Sequence, residues 1–173
     1  MSRLKIWIVI SIVFFAFYGC AVKTKTVVYR PEPKIDMETG QKVEHILKRV
    51  REIALKHDLE YLGRNTMNES VELMDIGSVV SPFVVRKLKQ ARNWRFRYWL
   101  VDILGYIVSN DNVIPLIEII EDDSEKKEVR LRACESIKEL RYPSAVKHLV
   151  ISKDIVDDND IKKKIKDTID YIR

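Results

Sequence analysis

Between residues 96 and 150 the apolar positions recur with a helical period, and the pattern then repeats. Phe96, Leu100, Ile103, Leu104 and Ile107 stand at i, i+4, i+7, i+8 and i+11, the spacing of one helix face. Val113, Leu116, Ile117 and Ile120 follow as a second, shorter stripe. Shifted by 33 residues, Phe96, Arg97, Leu100, Leu104 and Ile107 fall on Val129, Arg130, Ala133, Ile137 and Leu140 without a gap. The same shift sets Val113, Leu116 and Ile117 on Val146, Leu149 and Val150. Backwards, Val80, Pro82, Phe83 and Val84 fall under Val113, Pro115, Leu116 and Ile117. Leu73 to Gly77 ends a helix in the same style. Forwards by 32, Ile161, Ile165, Ile169 and Ile172 match Val129, Ala133, Ile137 and Leu140. The pattern predicts two-helix modules over residues 64–173, about three and a half of them.

Helix starts carry their own signals. Ser81-Pro82 reads as an N-cap followed by proline at the first helical position, and Tyr142-Pro143 as a similar start. The acids of Asp157 to Asp160 complement the dipole of the last helix. Ahead of the modules, Gln41 to Leu62 reads as one amphipathic helix with Val43, Ile46, Leu47, Val50, Ile53 and Ala54 on its apolar stripe. Glu44–Lys48, Lys48–Glu52 and Glu52–Lys56 are candidate i,i+4 pairs, and Gly63 a fitting stop. Residues 41–63 are thus expected to cap one end of the stack, and the lysine-rich helix 161–173 the other.

The chain up to Gly40 follows a different logic. Arg3 and Lys5 precede the apolar run Ile6–Phe17, in which Ser11 is the one polar member, and then comes Gly19-Cys20. This is the layout of an export signal: basic start, short apolar stretch, small residue before the cut. The competing reading is an uncleaved anchor. Apolar character runs on to Val22, and the stretch from Ile6 then reaches the short limit of the roughly 17–25 residues that cross a bilayer. Both readings put the body outside the cytoplasm. Residues 20–40, with Arg30-Pro31-Glu32-Pro33, have no sustained helical period and read as a tether, in which Val27 to Tyr29 is a candidate short strand or binding segment.

Two resemblances follow from these residues. Gly19-Cys20 after the apolar stretch resembles a bacterial lipoprotein signal, although Phe17 and Tyr18 are bulkier than that family's usual residues. It implies removal of residues 1–19, acylation of Cys20 (palmitate among its chains), and, with Ala at position 21, an outer-membrane address in a double-membraned cell. Val129-Arg130, Ala133-Cys134, Ile137 and Leu140, followed by Pro143, Ala145-Val146 and Leu149, resemble HEAT repeats, closest to the short subtype named for phycobilisome lyases. Arg141-Tyr142 replaces that subtype's usual Gly-Asp turn, and Lys138 stands where Gly is common. The resemblance implies an all-α fold: a short right-handed α-solenoid of HEAT-like helical hairpins with an N-terminal capping helix.

Composition narrows the chemistry. The 173 residues include 5 Gly and 2 Cys, too few for Gly-rich phosphate loops, a disulfide scaffold or a four-thiolate zinc site. Losing Arg3 and Lys5 with the signal lowers the formal charge from +5 to +3, so the basic pI is not a nucleic-acid footprint. His45, His57 and His148 lack metal-ligand spacing and read as structural, and Cys134, inside a helical stripe, as a buried inert thiol. The acidic runs Glu121 to Glu125 and Asp157 to Asp160 lack the glycine of a calcium loop and read as inter-module loops. No catalytic residue, cofactor or metal site is assigned, and an enzyme is not expected.

The unusual segment is Arg92 to Trp99, which mixes four aromatics with three arginines and is followed by Tyr106. Arg95, Trp99, Asp102 and Tyr106 form a stripe off the core face. Two uses compete: the rings fill the seam against the preceding module, or they form a partner site, since Trp, Tyr and Arg dominate binding hot spots. Arg86, Lys87 and Lys89, then Glu118 and Glu121, then Lys147 and Lys153 alternate in sign along the second helices, which suits a protein partner. Arg95, Trp99, Tyr106, Arg86 and Lys87 are the candidate contacts. The expected function is that of a lipid-tethered HEAT-repeat scaffold or adaptor binding a protein at the cell envelope, with no nucleic-acid partner. The alternatives are an accessory protein for an enzyme or for cofactor attachment, suggested by the lyase-type repeats, and a structural envelope lipoprotein. Dimerisation through an imperfectly capped end stays open.

Overall fold

The computed structural model describes residues 35–173. The export signal, Cys20, the candidate strand at Val27 to Tyr29 and most of the tether lie outside the described residues. Within them the chain is all-helical, with no strand. The helices are α1 (Met37–Lys56), α2 (Leu59–Asn65), α3 (Met67–Ile76), α4 (Ser81–Gln90), α5 (Trp94–Tyr106), α6 (Val113–Glu121), α7 (Lys127–Leu140), α8 (Ser144–Ile155) and α9 (Asn159–Ile172). Short 3-10 turns at Ser78–Val80 and Asn110–Asn112 lead into α4 and α6.

The apolar stripes are the core. Phe96, Leu100, Ile103, Leu104 and Ile107 on and after α5, Val113, Leu116 and Ile120 of α6, Val129, Ala133 and Ile137 of α7, and Ile161, Ile165 and Ile169 of α9 are all buried. So are Val43, Ile46, Leu47, Val50 and Ala54 of α1. Burying a large aliphatic or aromatic side chain contributes about 1.5–3 kcal/mol of transfer free energy, so one continuous cluster is what holds these helices together. Helix α5 packs on α7, α7 on α9, and α6 on α8; α6 and α8 also lie against the helix that follows each of them.

Contacts between successive first helices recur with the period of the sequence. Arg132 of α7 pairs with Asp102 of α5, and one module later Lys164 of α9 pairs with Glu135 of α7. The Ser136 hydroxyl donates to the Val101 carbonyl at 2.8 Å, and Thr168 donates to the Cys134 carbonyl at 3.4 Å. Arg97 donates to the Leu88 and Ala91 carbonyls at the end of α4, and Arg130 to the Ile120 carbonyl at the end of α6. Carbonyls at a helix end lack partners further along their own helix, so the aligned arginines satisfy groups that helix geometry orphans.

Several local expectations are corrected. The segment Gln41–Leu62 is not one helix: α1 begins at Met37, where the Asp36 carboxylate accepts the Thr39 amide at 2.9 Å, and ends at Lys56. Asp58 then caps α2, accepting the Tyr61 amide at 2.8 Å, and Gly63 sits inside α2 rather than stopping a helix. A second capping side chain so soon after Lys56 restarts the helix past the extended His57. Residues 37–40, assigned to the tether, are thus the first turn of α1. The i,i+4 pairs on α1 are replaced by bridges to neighbouring helices: Glu44 to Lys87 of α4 at 2.9 Å, Lys42 to Glu72 of α3 at 3.5 Å, and Arg49 to Glu69 of α3. Ser81 is not an N-cap but already helical, with Pro82 in the first turn as expected. Its hydroxyl donates instead to Asn112, whose amide donates to the Leu104 and Ile107 carbonyls, each at 2.8 Å.

Candidate functional site

The aromatic-basic segment is divided by its helix. Asn93 caps α5, accepting the Phe96 amide at 3.0 Å, and this fixes which side chains turn inward. Trp99 is only 3% exposed and lies in the core, so it is not a surface contact. Its indole is too large to leave in water when the α5 stripe is already buried on either side of it, and it belongs to the core cluster. Trp94 and Tyr98 are half-buried against the same core.

The other candidates do not converge on one patch. The Arg95 guanidinium lies 5.1 Å over the Trp94 ring, and that of Arg86 lies 4.6 Å over Phe83. Lys87 is bound to Glu44. Tyr106 is 44% exposed, and Arg132 reaches its hydroxyl at 3.3 Å while also pairing with Asp102. Burial, opposed by Arg132, holds the Asp102 carboxyl above its ordinary range, and burial likewise raises the Tyr98 phenol.

Arg132 leads to a surface that the sequence reading did not single out. A groove of about 510 Å³ runs across the first helices, with Leu59 of α2, Tyr98 of α5, Leu131 of α7 and Lys164 of α9 along it. Glu128, Asp160, Lys163 and Asp167 add charges of both signs to its edges. Tyr98 and Leu131 share one module position, related by the same shift that aligns Phe96 with Val129. An apolar or aromatic residue recurring off the core stripe was the signal available for finding it.

The remaining groups are committed to structure. Asp123 pairs with Arg130 at 2.8 Å and Glu125 with Arg97, so the first acidic run serves the two aligned arginines. In the second run Asp158 caps α9 and Asp160 binds Lys127. Cys134 is buried, and burial pushes its thiol up to about 12, which leaves it protonated and unreactive. His57 stacks on Tyr61 with ring centroids 3.9 Å apart. Among the described residues no three His, Cys, Asp or Glu side chains are grouped to hold a metal ion, and no helix is long and apolar enough to cross a membrane. No protein-family model matches the chain, and no characterised protein matches it significantly.

Proposed function

We propose that this protein is a HEAT-like helical-repeat lipoprotein, tethered through acylated Cys20 at the cell envelope, that works as an adaptor for another protein. In this reading α5 to α9 are the modules of a short right-handed solenoid, and α1 to α3 close its first end. The observation that carries it is the recurrence of the contacts between first helices from one module to the next: Asp102–Arg132 with Glu135–Lys164, and Ser136–Val101 with Thr168–Cys134. Stacked modules of this kind give a rigid extended surface whose positions repeat, the form suited to holding a partner rather than enclosing a substrate.

The partner surface in this proposal is the groove along Tyr98 and Leu131, with Tyr106 at its Arg132 side. Its half-buried rings and aliphatic groups offer apolar area, and its flanking carboxylates and ammonium groups would set register. A photoreactive residue at Leu131, expressed in native envelopes, should give a discrete crosslinked species, and one at Lys166 on α9 should not. Equal crosslinking at both positions, or none at Leu131, would contradict the assignment. Cys20→Ser should shift the protein out of the membrane fraction; retention there would favour the uncleaved anchor.

A further inference from the structure

A second concavity, of about 460 Å³, lies between the later half of α1 and the α4–α5 junction. Its charged lining is cationic throughout: Lys48 and Arg51 from α1, Lys87 from α4, and Arg92 from the junction. Glu44 neutralises Lys87 at 2.9 Å. Among the described residues no ion pair joins Lys48, Arg51 or Arg92 to a carboxylate, whereas Lys42 and Arg49 of α1 pair with Glu72 and Glu69 of α3. Gln90 and Asn93 supply further polar groups, and the buried Leu47 and Phe96 form an apolar floor. Leu55 stands at the lining 52% exposed.

We infer that this concavity binds a phosphate-bearing group. Three unneutralised cations facing one hollow match a dianionic or polyanionic oxygen cluster better than a single carboxylate. Two of the three are arginines, whose planar forks present paired donors to phosphate oxygens. The exposed Leu55 offers contact to an apolar body attached to that group. The same chemistry serves a phospholipid headgroup or a free phosphate compound. The inference does not depend on the adaptor reading, because no groove residue takes part.

The test measures thermal unfolding by circular dichroism of the full chain reconstituted in neutral phosphatidylcholine vesicles. One arm adds inorganic pyrophosphate; the other replaces part of the lipid with phosphatidic acid, whose phosphomonoester headgroup can carry two charges. Binding to the folded state raises the midpoint by about 3–6 °C at roughly tenfold excess over the dissociation constant. A rise with pyrophosphate identifies a free phosphate compound, and a rise with phosphatidic acid alone a lipid headgroup. In either case R51E/R92E abolishes it, while K162E/K166E, altering two lysines of α9, leaves it intact. The neutral pair R51Q/R92Q reads the same way should charge reversal disturb folding. No rise with either probe, or a rise that survives R51E/R92E and R51Q/R92Q, overturns the inference.

Discussion

Asn112 shows how one polar side chain ties the start of α4 to the end of α5. It is fully buried, accepts from Ser81 and donates to the Leu104 and Ile107 carbonyls. Replacement by Ala leaves those two carbonyls and the Ser81 hydroxyl without their partner, at a cost of roughly 2–4 kcal/mol. Asn112→Asp keeps the size but sets a carboxylate oxygen against two carbonyls that need a donor, and should be no more stable than Asn112→Ala. Urea unfolding checks both, and near-wild-type stability for Asn112→Ala would show that the carbonyls find other donors. This network was not legible in the sequence. Ser81-Pro82 carried the usual start signal, and only the tertiary placement of Asn112 draws the serine hydroxyl elsewhere. Asp158, by contrast, was legible as part of an acidic helix start. The Ile161 amide above all, then Lys127, holds its carboxyl below the ordinary range. Such a group stabilises the fold above its unfolded pKa, and that contribution is lost as pH falls through the lower folded value. Asp158→Asn should therefore be less stable than the wild type at neutral pH and converge with it in acid. A difference that stays constant from neutral pH into strong acid would contradict the assignment.

Helices α5 and α7 approach each other closely at Gly105. A Cβ there would stand 2.7 Å from the Ser136 Cα, a backbone atom that cannot turn away. Gly105→Ala should force the two helices apart and cost about 1–3 kcal/mol, weakening the Ser136–Val101 bond. Thermal unfolding and the hydrogen-exchange rates of α5 and α7 measure it, and an unchanged midpoint would mean that the helices slide without loss. Lys138, at the matching position of the next module, carries a side chain that swings over the Tyr171 ring at 4.6 Å. The apolar stripes of α5, α6, α7 and α9 were readable because each keeps a period near 3.6. The break after Lys56 was not, because the apolar stripe continues across it: Leu59 and Leu62 still face inward. Only Asp58, acting as a cap, divides the segment. The bend after α7 uses Arg141 at φ 53°, a conformation that favours glycine, where the sequence supplies none.

At the scale of the molecule, the all-helical fold and the buried stripes were legible because shifting the chain by one module superposes like on like. The site was legible only in part. Trp99 looked like a hot-spot residue by type and stripe, yet a ring of that size is equally suited to a seam, and type alone does not choose between them. Tyr98 and Leu131, one 33-residue shift apart, lie beside one groove. Whether segments 94–121 and 127–155 are equivalent modules, followed by a third first helix, is the claim on which the adaptor reading rests. Spin labels at residues 95, 128 and 160, one per first helix at matching positions, test it by electron paramagnetic resonance. Equal steps predict similar 95–128 and 128–160 distances, about 10 Å each for packed helices, and a 95–160 distance near twice that, roughly 20 Å. Unequal steps, or a 95–160 distance no longer than either step, would contradict a stack of repeating modules.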